Sequence, residues 1–361
     1  DFEKLCSDKK IYEIIKKKRI LLNNIFGVDI DVNAVEVTKL SLLLKCMEGE
    51  TQVSISHQLK MFNERVLPTL DSNIKDGNSL IDLDFYAGEL NFGEERKIKP
   101  FSWRRTFPEV FNIKIKGVEE TSLNEKLKMA LIKSVEAEKD LNEAMRDYMN
   151  TVKEPSTQYG LQGGFDVVIG NPPYVRSKLL DVTQRNYFSN KFKSAKGTFD
   201  IYSIFIEQAF NLIKDNGLVA FINPNKYFYS DYGEGIRKVI AENYSFESIV
   251  DFNEYQVFEG ITTYTTVNIF SKRKKKSSFQ YSNIADKYLD KKYVEDFLLR
   301  ELPNDKIFIT KVESKNLNSS NWVFKSKDES SFISRIKNES TPLIVLCYKI
   351  YQGFVLTPTE V

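Results

Sequence analysis

The sequence predicts an α/β fold built on a Rossmann-like, doubly wound, mostly parallel sheet, followed by the start of a second domain. Short apolar runs alternate with stretches of helical length along most of the chain, the rhythm of strands joined by crossover helices. Three of the apolar runs end in acids, amides or prolines. In open α/β sheets such carboxyl ends of strands are where ligands sit. A chain of 361 residues that is 42% hydrophobic and 13% aromatic can fill one large domain and part of another.

Taken in order, residues 4–19 read as a helix and residues 24–31 as a buried strand ending in acids. Asn33 is expected to cap a helix running to about Cys46, with Val37, Leu40, Leu43 and Leu44 on its inner face. Residues 73–81 read as a second strand with a turn at Asp76-Gly77-Asn78. A charged helical stretch over 122–150, with Leu127, Leu131, Val135, Leu141 and Met145 at helical spacing, interrupts the alternation. The strand 165–169 follows, then a helix over 200–214 closed by Asp215-Asn216-Gly217, where Gly217 suits the position just past a helix end. Residues 218–222 read as a strand, 231–243 as a helix, and 246–251 and 265–270 as two further strands. From about residue 277 the segments become irregular and charged. The expected division is therefore a first domain over 1–276 and, over 277–361, a linker leading into a second.

Composition narrows the chemistry. No run of about 18 apolar residues occurs and the N-terminus lacks a signal-peptide pattern, so a cytoplasmic protein without membrane contact is expected. Cys6, Cys46 and Cys347 are odd in number and far apart, which fits reduced thiols and offers no zinc or disulfide framework. With His57 as the single histidine, a Ser-His-Asp triad or a multi-histidine metal site is not expected. Asp84 with Glu95-Arg96-Lys97 has the loose spacing of a metal-dependent nuclease motif, a short pattern that arises readily by chance. The net charge is only +2, so nucleic-acid contacts must come from local clusters. Residues 265–292 form one, eight Lys/Arg against two Asp, including Lys272-Arg273-Lys274-Lys275-Lys276. Such a run is either a solvated turn or a phosphate-contacting edge.

The three polar strand ends differ in what they can do. Asp29 can accept both hydroxyls of a ribose, or simply cap a turn. In Asp76-Gly77-Asn78-Ser79 a side chain could read the edge of an adenine, although a type I turn has the same composition. Asn171-Pro172-Pro173-Tyr174, directly after the apolar run Phe165-Asp166-Val167-Val168-Ile169-Gly170, points to methylation of an exocyclic amino group. The lone pair of such an amine is delocalised into the ring, so fixed acceptors must hold its hydrogens out of the plane. The Asn171 side-chain oxygen and the Pro172 carbonyl are suited to accept those two N–H bonds. Each proline fixes its own φ and confines the residue before it, which keeps the acceptors rigid. Tyr174 offers a flat face to a base taken out of a duplex.

The order of these segments resembles the gamma-class N6-adenine DNA methyltransferases, closest to type IIG restriction-modification enzymes and related phage-defence methylases. Asn24-Ile25-Phe26-Gly27-Val28-Asp29-Ile30-Asp31 resembles the ribose-binding segment of that family, and Gly77-Asn78-Ser79-Leu80-Ile81 the segment against the cofactor adenine. Phe107-Pro108-Glu109-Val110-Phe111 resembles a short motif placed ahead of the catalytic strand. Phe199-Asp200-Ile201-Tyr202 and Gly217-Leu218-Val219-Ala220-Phe221-Ile222-Asn223-Pro224-Asn225-Lys226 resemble later structural motifs. Tyr255-Gln256-Val257-Phe258 with Thr262-Thr263-Tyr264 resembles the motif whose aromatic packs on the target base.

The resemblance implies a class I methyltransferase that uses S-adenosylmethionine, needs no metal, and acts on double-stranded DNA. Asp29 would hold the cofactor ribose, Ile30 and Ser79 would flank its adenine, and Asn78 would lie near the exocyclic amine. Asn171, Pro172 and Pro173 would orient the target amine, and Tyr174 and Phe258 would sandwich the flipped adenine. Residues 112–164 look like a helical insertion. The family's glycine-rich first motif has no counterpart, since the first glycine is Gly27, and Lys349-Ile350-Tyr351-Gln352-Gly353 resembles the entrance to a target-recognition domain. The expectation is an internal fragment of a longer bacterial restriction-modification enzyme, itself inactive, whose parent has room for a nuclease domain. Methylation of cytosine N4, RNA adenine or a protein glutamine, and a catalytically silent DNA-binding scaffold, remain as alternatives.

Overall fold

A computed structural model describes residues 9–48, 69–86, 98–111, 163–258, 263–272, 276–284, 286–300, 307–324, 331–332, 335–336 and 338–347. His57, Cys6, the 122–150 helical stretch, Glu95 to Lys97 and the 349–353 motif lie outside them. The chain forms two compact units, Asp1–Phe165 and Asp166–Val361.

The first unit opens with helix α1 (Lys9–Asn24), strand β1 (Gly27–Asp29), helix α2 (Val32–Met47) and strand β2 (Ile74–Asp76). β1 and β2 pair in parallel with Asp29 opposite Asp76. The cap of α2 is Asp31, whose carboxylate accepts the Asn33 N–H at 2.8 Å; Asn33 is already inside the helix. Its buried stripe also differs from expectation. Val35 and Cys46 are buried, and Leu42 and Leu43 pack with them against Leu21, Leu70 and Ile74. Val37, Leu40 and Leu44 are exposed. α2 carries two apolar stripes, and periodicity alone does not say which one faces the core.

Beyond β2 a short helix α3 (Trp103–Thr106) leads into Phe107, which is fully buried at the centre of an aromatic cluster. The ring of Phe107 meets Phe26 at 5.1 Å, Trp103 at 5.9 Å, Phe101 at 6.0 Å and Phe165 at 6.4 Å between centroids. Phe111 stands edge-on to Phe165 at 5.6 Å. The Gly164 N–H donates to the Val110 carbonyl at 2.9 Å. A Cβ on Gly163 would lie 2.4 Å from the Phe111 oxygen. The Phe-Pro-Glu-Val-Phe segment thus anchors Phe165, the first residue of strand β3 (Phe165–Gly170).

The second unit holds a six-stranded sheet in the order β3-β4-β6-β5-β7-β8. Its further strands are β4 (Ile213–Pro224), β5 (Ser245–Asp251), β6 (Thr265–Ser271), β7 (Ser278–Ile284) and β8 (Ile307–Glu313). β6 runs antiparallel to both β4 and β5, so those two are mutually parallel; β7 is parallel to β5, and β8 is antiparallel to β7. The reversal of β6 follows from its connection to β5, a hairpin-like return rather than a crossover helix. β7 and β8, which follow residue 277, pair into the same sheet.

Helices α4 (Val182–Lys191), α5 (Ile201–Leu212), α6 (Glu234–Asn243) and α7 (Lys291–Arg300) complete the unit's main elements. Tyr202, Ile206 and Phe210 of α5 share a core with Val219 and Phe221 of β4, Ile236 and Ile240 of α6, and Phe246 and Phe270. α5 ends at Leu212, with Ile213 extended as its cap, so Gly217 lies within β4 and not at a helix end. A second core gathers Phe252, Ile284, Leu289, Val294, Phe297 and Ile307. β3 closes one end of the sheet with Val167 50% and Ile169 76% exposed, despite its apolar composition.

Candidate active site

In the first unit, the parallel register of β1 and β2 brings the two predicted cofactor segments side by side. The Gly77 N–H donates to the Asp29 carbonyl at 2.8 Å, carrying the ladder past the strand ends. Gly77 is needed for close approach, because a Cβ there would meet Phe101 at 2.7 Å. Asp29 uses Oδ1 to accept the Asp31 N–H at 2.8 Å, leaving Oδ2 without a partner among the described residues. Asn78 is half-buried and its Oδ1 accepts the Leu80 N–H at 3.1 Å. That bond turns the carboxamide so that its nitrogen is the free donor. Ser79 is half-buried and its carbonyl accepts Trp103 Nε1–H at 3.1 Å. Ile30 is half exposed.

Sequence reasoning missed Lys99 here. Its Nζ donates to the Ile30 carbonyl at 3.0 Å and lies 3.7 Å from Asp76 Oδ2, tying the two loops together. Its φ of 48° is in the left-handed region, a conformation that costs a non-glycine residue about 1 kcal/mol. An isolated lysine gives no sequence signal for such a role.

In the second unit, Asn171 and Pro173 are exposed, Pro172 is buried and Tyr174 half-buried. The Asn171 carboxamide has no partner among the described residues and stands open to solvent. Tyr174 packs against the main core and edge-on to Tyr202 at 6.3 Å, and its hydroxyl donates to the Ile222 carbonyl at 3.4 Å. Burial pushes its phenol up to about 12, so it stays protonated through the physiological range. The turn is thus fixed on one side by Pro172 and Tyr174 and open on the other at Asn171.

Phe258 is half-buried and, among the described residues, packs into neither of the two cores given above, whereas its neighbour Val257 packs into the second. The segment carrying Phe258 is held at both ends by a buried polar network. Asp251, at the end of β5, accepts Asn225 Nδ2–H at 3.1 Å, Tyr281 O–H at 2.9 Å and the Asn253 N–H at 3.0 Å. The Asn225 N–H in turn donates to the Tyr264 carbonyl at 2.9 Å. Behind it, Tyr227 O–H donates to Asn268 Oδ1 at 3.1 Å and Asn268 Nδ2–H to Asn223 Oδ1 at 3.0 Å. Asn223 and Asn225 were legible as part of a motif; Asp251, Asn268 and Tyr281, on three other strands, were not.

Burial raises the Asp251 carboxyl above the ordinary 3.8, against the pull of its three donors. The charged form therefore costs stability in the folded state, so this group's contribution is full below the ordinary value and is lost as pH rises through the raised one. Asp251→Asn keeps an oxygen acceptor without the buried charge. In urea titrations it is expected to equal or exceed the wild type at neutral pH and to lose that advantage on acidification. A wild type that is the more stable at neutral pH would contradict the assignment.

The two described ends of the basic run, Lys272 and Lys276, lie away from this site. Residues 273–275 are outside the described residues, but Lys272 pairs with Asp215 at 3.7 Å and Lys276 with Glu247. β6 ends at Ser271 opposite Leu218, at the far end of β4 from Asn223 and Pro224. Among the described residues no helix is long and apolar enough to cross a membrane, and no group of three or more His, Cys, Asp or Glu could hold a metal.

Residues 23–258 match the family model described as Eco57I restriction-modification methylase. The chain belongs to that family. The matched span contains Asp29, Asn78, the Asn-Pro-Pro-Tyr turn and Phe258. The chain is 28% identical over 315 residues to the type II restriction enzyme and methyltransferase RM.Eco57I of Escherichia coli, covering 86% of this chain and 24% of that protein. It is 21% identical over 247 residues to the adenine-specific methyltransferase BrxX of Escherichia coli O9:H4 (strain HS), covering 63% of this chain and 20% of that one. The crystal structure of the type IIG restriction endonuclease BpuSI is similar with a TM-score of 0.37 at 17% identity, over 48% of this chain and 22% of that chain. The chain thus spans about a quarter or less of the length of these relatives.

Proposed function

We propose that this chain is the methyltransferase core of a site-specific DNA adenine-N6 methylase within a larger, cytoplasmic restriction-modification enzyme. The observation that carries the reading is the Asn171–Tyr174 turn, rigid on one side and open on the other at the end of β3. Asn171 Oδ1 and the Pro172 carbonyl hold the two amino hydrogens of the base, and Tyr174 and Phe258 stack on its faces. DNA as substrate is supported by the restriction-modification family, and adenine by the adenine specificity for which BrxX is named. A nuclease in the same parent chain is supported by the restriction activity named for RM.Eco57I.

The donor in this reading is S-adenosylmethionine, which supplies an electrophilic methyl group when bound. The first unit's residues fit its adenosine part. Asp29 offers an unpartnered carboxylate oxygen to ribose hydroxyls, and Asn78 offers a free amide N–H, suited to a ring nitrogen of adenine. Ile30 and Ser79 flank that edge.

Base capture provides the test. In a duplex carrying 2-aminopurine at the target position, the complete protein is expected to raise fluorescence on binding, and Tyr174→Phe to preserve the rise. Tyr174→Ala removes a stacking face worth about 1 to 3 kcal/mol and should weaken it, as should Phe258→Ala. A full rise in both alanine variants would contradict the roles given to these rings, and a loss in Tyr174→Phe would shift the role to the hydroxyl.

A further inference from the structure

The geometry points to residues 175–200, the segment that follows the Asn-Pro-Pro-Tyr turn, as a phosphate-binding surface that grips the nucleic-acid backbone beside the target base. This rests on the nucleic-acid reading above and deepens it. The segment contains Arg176, Lys178, Arg185, Lys191, Lys193 and Lys196 against Asp181 and Asp200, a net +4, whereas the whole chain is only +2. The rest of the protein is therefore slightly acidic, and positive charge is concentrated next to Tyr174. Arg176, Lys178, Lys191, Lys193 and Lys196 are exposed. Among the described residues Arg176, Lys178, Arg185, Lys193 and Lys196 form no salt bridge, unlike Lys272 and Lys276 at the other end of the sheet.

The two acids are occupied or inset. Asp181 caps α4, accepting the Gln184 N–H at 2.7 Å. Asp200 is half-buried, and burial raises its carboxyl while the neighbouring charge of Arg176 opposes the shift.

The surface is also rigid, which a charged loop need not be. Residues Arg176 and Asp200 form an antiparallel bridge, and the Ser177 and Ile201 N–H groups donate to the Phe199 and Val175 carbonyls, each at 2.8 Å. Phe188 and Phe192 are buried beneath α4. Glu207, buried in α5, accepts the Lys193 N–H at 3.0 Å and the Ser194 N–H at 2.7 Å, fixing the turn that presents Lys193 and Lys196. Unpaired cations held on a fixed scaffold are what counterion release from a polyphosphate requires.

The test is fluorescence anisotropy with a short mixed-sequence DNA duplex across a salt series. The variant Arg176→Gln/Lys178→Gln/Lys193→Gln/Lys196→Gln is compared with the wild type and with Lys272→Gln/Lys276→Gln, melting curves confirming that all are folded. Each phosphate contact contributes about 0.9 to the slope of log K against log salt. The quadruple variant is expected to reduce that slope by roughly two to four, with the double variant unchanged. An unchanged slope in the quadruple variant, or a loss confined to the double variant, overturns the assignment. Displacement of the duplex by polyglutamate as readily as by unlabelled DNA overturns it in favour of an acidic protein partner. Salt-independent binding by the wild type also ends it, while the methyl-transfer reading is decided separately, by which nucleoside of the DNA becomes methylated.

Discussion

Asn171→Ala is expected to lower methyl transfer by about 100- to 1000-fold while leaving cofactor affinity unchanged, the range seen when one preorganised polar partner of a transition state is removed. The physical reason is the amine. Its lone pair becomes available only as nitrogen pyramidalises, and the acceptors at Asn171 and Pro172 favour that geometry over the planar ground state. Their contribution is therefore made mainly in the transition state, so kcat falls and substrate binding changes little. Asn171 is exposed and makes no hydrogen bond among the described residues, so its truncation should not lower the melting temperature. Asn171→Asp keeps acceptor oxygens and is expected to recover part of the rate. Comparable losses in kcat and in stability would instead mark Asn171 as structural.

Phe107→Ala has the largest expected effect on the fold. The side chain is fully buried and its ring touches Phe26, Phe101, Trp103 and Phe165. Removing a buried phenylalanine costs about 3 to 5 kcal/mol through lost transfer energy and the cavity left behind. That is a large share of the 5 to 15 kcal/mol typical of a domain. Chemical denaturation, with near-ultraviolet circular dichroism following Trp103, should show the loss. Phe107→Leu should recover a substantial part of it. A loss below about 1 kcal/mol would mean that the cavity collapses and that the cluster does not anchor Phe165.

The order of strands, turns and helices was legible in the sequence because each element carries local chemistry. Pro172 and Pro173 stop β3, and the segments 246–251 and 265–270 are apolar enough to read as strands, whereas α4 behind its Asp181 cap, and β7 and β8, carry no comparable signal. What was not legible depends on which surfaces meet. Val37, Leu40 and Leu44 form as good a helical stripe as Val35, Leu42 and Cys46, and only the packing against Leu21 and Ile74 selects the second. Gly217 looked like a helix terminator because the amphipathic pattern of α5 gives no stop at Leu212, where the chain turns extended.

The candidate site divides the same way. Asp29, Asn78, Asn171 and Tyr174 lie at strand ends and announce themselves. Asp251 on β5, Asn225 just past the end of β4 and Tyr281 on β7 meet only because those strands are neighbours in one sheet or one removed, and separations of 26 and 30 residues carry no pattern. Charge clustering in sequence and in space also differ: of the basic run at 272–276, Lys272 and Lys276 sit at the opposite end of the sheet, in ion pairs, whereas the six basic residues spaced over 176–196 adjoin the Asn-Pro-Pro-Tyr turn.

The central claim is the identity of the atom methylated. Incubating the complete protein with methyl-labelled S-adenosylmethionine and double-stranded DNA, then hydrolysing the DNA and separating its nucleosides by mass, reads it directly. The expected result is label in N6-methyldeoxyadenosine, lowered about 100- to 1000-fold with Asn171→Ala. Label in N4-methyldeoxycytidine, or label that persists unchanged in Asn171→Ala, would contradict it.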